Sequence, residues 1–271
     1  DVLLHASGVS KSFPGVKALD DVQLTLRKGE VLGLIGENGA GKSTLMKLLS
    51  GIYTPDAGRF ELDGAPLQVR GPRDALEQGI SIIHQEFNLM NDLTVAQNIF
   101  IGREEPSGGL FLSDRELNRR AQELIDRLGM PLRPTDVVAD LTVAHQQMVE
   151  IAKALSYDAR VLIMDEPTAA LNEAEVARLF ELIRRFVSPQ TGVIYISHRM
   201  PELRAITDRI TVLRDGQYVD TRETATTTLA EVIPLMVGRD ISGEARQTGQ
   251  RAGDDVVLEV RDLSTADLLR D

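Results

Sequence analysis

The chain has 271 residues, with 41 acidic against 30 basic side chains and a formal net charge of −11. Hydrophobic residues make up 42% and charged residues 26%, which suits a folded core and excludes a disordered chain, while the acidic excess argues against nonspecific nucleic-acid binding. The absence of cysteine excludes a disulfide scaffold, a thiolate metal site and a cysteine nucleophile together.

The first third alternates strands and turns. Val22, Leu24 and Leu26 alternate with polar residues as a half-buried strand does, and Lys28-Gly29-Glu30 breaks the run. Val31-Leu32-Gly33-Leu34-Ile35 is a short apolar run suited to a buried parallel strand. A glycine-rich stretch then leads into Leu45, Leu48 and Leu49 at helical spacing, making a strand–loop–helix unit. The middle of the chain is helical: Ser113 and Glu116 form a capping box, Leu117, Ala121, Leu124, Ile125 and Leu128 share a face, and Gly129 and Pro131 stop it. Its arginines are interspersed with Glu116, Glu123 and Asp126, so they mark a solvated face rather than a basic patch.

In the last third Val161–Met164 is a buried strand, Asn172 caps a helix that turns Val176, Leu179, Phe180 and Ile183 inward, and Val193–Ile196 is the next strand. Ile210–Leu213 and Tyr218-Val219 flank an Asp215-Gly216 hairpin turn. Strands linked by crossover helices imply an α/β core with a mostly parallel sheet and a helical insert. Residues 239–254 have almost no apolar content and are expected to be a linker. Beyond them, Asp255–Ser264 can be laid over Asp1–Ser10 with the first, second, fourth and tenth positions identical, which is expected of a repeat cut off soon after it starts.

Three segments carry the chemistry. Gly36-Glu37-Asn38-Gly39-Ala40-Gly41-Lys42-Ser43 matches G-x-x-x-x-G-K-[ST], follows a predicted strand and opens a predicted helix. Such glycines let backbone N–H groups turn toward phosphate at a helix N-terminus, so the loop through Thr44 predicts nucleoside triphosphate binding. Lys42 would reach the β- and γ-phosphates and the Ser43 hydroxyl would ligate Mg²⁺. Asp165-Glu166 closes the strand Val161–Met164. Mg²⁺ would offset the charge of Asp165, leaving Glu166 to face an attacking water as general base or water positioner. His198 also follows a strand, at the sheet end where α/β folds bind ligands, and its neutral ring would donate to the γ-phosphate.

With these motifs in this order, residues 1–238 resemble the nucleotide-binding domain of ABC transporters. The resemblance implies a P-loop NTPase core of ABC-ATPase type, with an antiparallel β subdomain and an inserted α-helical subdomain over about residues 88–157. It implies that Gln85 is the Q-loop glutamine touching Mg²⁺ and the attacking water, and that Phe13 stacks on adenine with Val16 lining the same pocket. It also identifies Leu141-Thr142-Val143-Ala144-His145 as the signature that meets the nucleotide of an opposing domain. The family pattern there is LSGGQ; Ala144 and His145 add bulk where backbone should approach phosphate, and Asn172 stands where Asp is usual.

This arrangement is similar to importer ATPases for monosaccharide-type solutes, in which one polypeptide carries two ATPase domains with unequal sites. The organisation expected is then an ABC ATPase domain over 1–238, a linker over 239–254, and the truncated start of a second ABC domain over 255–271. The expected activity is ATP hydrolysis driving import of a sugar or similar small solute, with ATP and Mg²⁺ as cofactors and weak turnover by the isolated fragment. Expected partners are the second ABC domain or another ATPase subunit, membrane permease subunits contacted near Phe87–Met90, and indirectly a solute-binding protein, with no nucleic acid. A soluble tandem ABC factor acting on ribosomes or nucleic acid is the alternative, disfavoured by the short, Gly/Ser/Gln-containing linker and by the acidic balance of the whole chain. No run of about 18 apolar residues and no leader-like N-terminus occurs, so the expected location is cytoplasmic, peripheral on the inner face of the cell membrane.

Overall fold

In a computed structural model, residues 1–83, 89–101 and 114–238 are described. The chain divides into two units, Asp1–Gly238 and Arg239–Asp271, of which the first holds all the described residues. Gln85, Phe87, Asn88, Ser113, the linker and the Asp255–Ser264 repeat lie outside them.

Two long strands open the chain, β1 (Val2–Phe13) and β2 (Val16–Arg27), paired antiparallel. In β2 the alternating residues Val22, Leu24 and Leu26 are buried, as their period of two predicts. Next come β3 (Val31–Ile35), α1 (Lys42–Leu49), β4 (Ala57–Leu62), β5 (Ala65–Leu67), α2 (Pro72–Glu77) and β6 (Ile80–Ile83). Between β6 and the next strand the described residues form the α-helices α3 (Val95–Phe100), α4 (Asp114–Leu128) and α5 (Val143–Ser156). The chain then alternates β7 (Val161–Asp165), α6 (Glu173–Phe186), β8 (Gly192–Ile196) and α7 (Met200–Ile206). The described part closes with β9 (Arg209–Arg214), β10 (Gln217–Glu223) and α8 (Leu229–Val237).

The strands form two sheets. One is four-stranded and antiparallel, in the order β2-β1-β4-β5. The other is six-stranded, in the order β10-β9-β3-β8-β7-β6, and every pair in it is parallel except the β9–β10 hairpin. Asp215 and Gly216 turn that hairpin with φ of 51° and 74°, the two positive dihedrals that a tight right-twisted hairpin requires.

Strand periodicity explains how one sheet serves two cores. Leu32 and Leu34 of β3, Val161 and Ile163 of β7, and Ile194 and Ile196 of β8 pack toward α1 and the antiparallel sheet. Their alternate neighbours Val31, Ile35, Leu162, Met164, Val193 and Tyr195 pack toward the helical insert, α6 and α7. Both faces are covered, so these strands are uninterrupted apolar runs rather than alternating ones. In α4, Ala121, Leu124, Ile125 and Leu128 face the core, while Arg119 and Arg120 pair with Glu116 on the exposed side, the solvated face the charge pattern predicts. Asn172 caps α6 through a reciprocal capping box with Glu175. Among the described residues no helix is long and apolar enough to cross a membrane.

Candidate functional site

Strands β3, β8 and β7 are consecutive neighbours in the parallel sheet, so their carboxyl ends lie side by side. The loop Gly36–Gly41 leaves β3, Ser197-His198 leaves β8, and Asp165-Glu166 ends β7. Three segments that are 30 to more than 100 positions apart in the chain thereby meet at one rim.

In the glycine loop, Gly36 and Ala40 are buried while Glu37, Asn38 and Gly39 are exposed. A Cβ on Gly36 would lie 2.3 Å from the Leu213 carbonyl oxygen and 2.8 Å from Ala40 Cβ, so this position requires room. Gly39 has a φ of +88° with open space around it, so there the requirement is the dihedral itself. Gly41 is the residue before α1 and contributes no side-chain cap, which leaves first-turn N–H groups available to an anion. Lys42 begins α1 and turns its Nζ back on the loop, donating to the carbonyls of Gly36 at 2.6 Å and Glu37 at 3.0 Å. Burial lowers its pKa, and the charges of Glu166 and Asp165 act against that shift. Ser43 is exposed and Thr44 half-buried on the following positions.

Glu166 has a φ of 49°, and its N–H donates to the Ile196 carbonyl of β8 at 3.0 Å. A non-glycine residue in this region costs about 1–2 kcal/mol, a strain placed at the residue immediately after β7. Its Oε1 lies 3.0 Å from His198 Nδ1, on a histidine that is 74% exposed. A carboxylate only accepts, so Nδ1 carries the hydrogen in this pairing. A neutral ring donates once, so donation to a γ-phosphate requires the ring to leave Glu166.

Phe13 and Val16 face each other across the β1–β2 turn, with Val16 58% exposed. Phe13 packs edge-on against Tyr53 with centroids 5.1 Å apart, and Lys11 Nζ lies 5.8 Å from the Phe13 ring. The sequence offered no signal for Tyr53, which is 40 positions from its partner. Leu141–His145 form the entry to α5, where Thr142 is the N-cap and its Oγ1 accepts from the His145 N–H at 3.3 Å. Here one expectation is corrected. The Ala144 side chain is buried among core residues, because it is the second residue of the helix on its inner face, and the exposed bulk belongs to Val143. Glu202 is also absent from any motif; it is buried and accepts from Thr168, Tyr195 and Ser197.

Residues 19–169 match the family model described as ABC transporter, and the chain belongs to that family. A ribose/galactose/methyl galactoside import ATP-binding protein of Burkholderia cenocepacia is 55% identical over 99% of this chain and 53% of its own length. A protein of the same name from Albidiferax ferrireducens is 53% identical over the same shares. The chain thus spans about half the length of the curated relatives it matches. Among solved structures, an ATP-binding cassette of an ABC transporter in its ADP conformation shares the fold, with a TM-score of 0.78 at 24% identity over 90% of this chain and 100% of that one. A nucleotide-free cassette does so with a TM-score of 0.74 at 24% identity, covering 82% and 92% respectively.

Proposed function

We propose that this chain is the ATP-binding, ATP-hydrolysing half of a motor that energises import of a sugar of the ribose or galactose type. The observation that carries the reading is the loop Gly36–Ser43, folded between a buried parallel strand and a helix with Lys42 turned onto its carbonyls, beside Asp165, Glu166 and His198. The names of its half-matching relatives support the solute class. Residues 1–238 act as the ABC ATPase domain, 239–254 as a linker, and 255–271 as the start of a second such domain.

In this function the loop amides, Lys42 and Thr44 hold the triphosphate, and Phe13 with Val16 receives the base. Glu166 orients the attacking water or takes its proton, and His198, once its ring has left Glu166, donates to the γ-phosphate as charge develops in the in-line displacement. Ser43 and Asp165 offer a hydroxyl and a carboxylate, the hard oxygen donors that suit Mg²⁺ shared with phosphate oxygens, and Gln85 would join them. When bound, that ion neutralises phosphate charge. Leu141–His145 face the nucleotide of an opposing ATPase domain, with exposed Val143 making a poorer phosphate contact than glycine. Permease subunits anchor the motor at the inner face of the membrane, reached through the segment around Phe87–Met90, where Met90 is 56% exposed.

The test is Lys42→Ala in the intact protein, read as MgATP affinity by titration calorimetry and as phosphate release. Loss of the ammonium should lower both by at least about tenfold. Unchanged affinity and turnover would overturn the assignment.

A further inference from the structure

Four residues after His198 stands a buried carboxylate, Glu202 of α7, only 7% exposed. Its Oε2 accepts three hydroxyls: Thr168 Oγ1 at 2.7 Å, Tyr195 OH at 3.1 Å and Ser197 Oγ at 3.2 Å. Its Oε1 accepts from Arg199 Nη1 at 2.6 Å. These donors come from different parts of the fold. Thr168 lies two residues after Glu166, in a turn closed by the Ala169 N–H donating to the Glu166 carbonyl and the Leu171 N–H donating to Thr168. Tyr195 is on β8, wholly buried with its ring edge-on to Phe180, and burial followed by the Glu202 charge raises its pKa, so it acts as a donor. Ser197 immediately precedes His198, and its Oγ accepts from the Arg199 N–H at 3.0 Å, closing a turn around the histidine.

We infer that Glu202 is a positioning residue that holds the Glu166 loop and the His198 loop in register. The proposal rests on the hydrolytic roles given above to Glu166 and His198. Glu202 touches neither side chain. It acts by tying the hydroxyl on each of the two flanking segments to one oxygen, which fixes the backbones from which the two side chains meet at 3.0 Å. A carboxylate suits the task because it accepts without donating, and charge-assisted hydrogen bonds are about twice as strong as neutral ones. An amide there would retain one acceptor and turn a donor group on Arg199. Positioning errors well under 1 Å are costly for groups that act on a reacting phosphate, whereas the phosphate loop binds nucleotide without them.

The experiment compares Glu202→Ala, Glu202→Gln, Ser197→Ala and His198→Ala in the intact protein by kcat, KM for MgATP and thermal unfolding. Glu202→Ala should lower kcat by about tenfold with KM within about twofold, and Glu202→Gln should recover part of that loss. Combined with His198→Ala, the Glu202 substitutions should lower kcat by less than they do alone, since part of their effect passes through the histidine loop. Ser197→Ala removes one small hydroxyl and leaves the carboxylate in place, so it decides the matter if Glu202→Ala does not fold; it too should lower kcat at constant KM. Unchanged kcat in Ser197→Ala and Glu202→Gln, or losses that multiply independently with His198→Ala, would overturn the role of Glu202. Unchanged kcat in His198→Ala would instead overturn the hydrolytic reading on which it rests.

Discussion

Gly36 and Gly39 belong to the same loop but are required for different reasons, and alanine substitution separates them. At Gly36 the new Cβ would sit 2.3 Å from the Leu213 carbonyl oxygen, so one of the two must retreat by about 1 Å to reach ordinary contact. Leu213 cannot retreat easily: it is wholly buried in β9, paired with Tyr218 of β10, while Val212 beside it pairs with Ile35. Overpacking of this kind costs about 1–3 kcal/mol; at about 2 kcal/mol, a domain of this size loses about 4–8 °C of Tm. The displaced Gly36 carbonyl is also the one Lys42 Nζ sits on, so MgATP affinity should fall with stability. At Gly39 no atom lies within 4 Å, and only the φ of +88° is unfavourable. That strain, about 1–2 kcal/mol, is partly offset by the entropy alanine removes from the unfolded chain, about 0.4–1 kcal/mol. Its net cost should therefore be under about 1.5 kcal/mol, a loss of less than about 6 °C. Thermal unfolding by circular dichroism and nucleotide titration measure both. A Gly36→Ala protein within about 1 °C of the parent, or one more stable than Gly39→Ala, would refute the steric argument.

Two further outcomes concern stability. Glu30 and Arg209 form a two-pronged pair at 2.5 and 3.0 Å with side chains only 5% and 10% exposed, and Glu30 Oε2 also accepts from the Arg27 N–H. Glu30→Ala should cost about 3–5 kcal/mol in denaturant unfolding because it strands a buried guanidinium; a cost below about 1 kcal/mol would show the pair to be dispensable. Glu116 is held down to a pKa of about 2, first by its hydrogen bond from Arg119 and then by that from Arg120. A depressed carboxylate pKa contributes stability that is present above its ordinary value of 4.5 and lost as pH falls toward 2. Glu116→Gln should therefore flatten the decline in Tm over that window, and the difference from the parent should shrink in about 1 M salt. Equal acid profiles for the two proteins would contradict it.

What was legible in the sequence was local. The run Val31–Ile35 followed by Gly36–Ser43 identifies its own strand, loop and helix, because the dihedral and steric demands of each are met by neighbouring residues. Asp165-Glu166 and His198 were legible as strand ends for the same reason. The period of two in β2 and the capping box of α6 were equally self-contained. Other features depend on tertiary contact and leave no mark on spacing. Glu202 gathers hydroxyls from positions 168, 195 and 197, and none of these residues is unusual where it stands. The commitment of His198 Nδ1 to Glu166 arises only because β8 and β7 are neighbours in the sheet. The inward turn of Ala144 follows from the phase of α5, which its N-cap Thr142 sets and a motif comparison does not.

The order β3-β8-β7 has a metric consequence. Adjacent strands are spaced about 4.7–4.9 Å apart, so the sheet edge works as a ruler graduated in strands. One graduation separates the strand that issues the phosphate loop from the one that issues His198, and a second reaches the strand that ends in Asp165 and Glu166. Two graduations measure about 10 Å, a span on the scale of a polyphosphate chain and its attacking water. Because the ruler is set by backbone hydrogen bonds rather than by side chains, it resists substitution along these strands. Only a change in strand order or register would alter the gauge of the site.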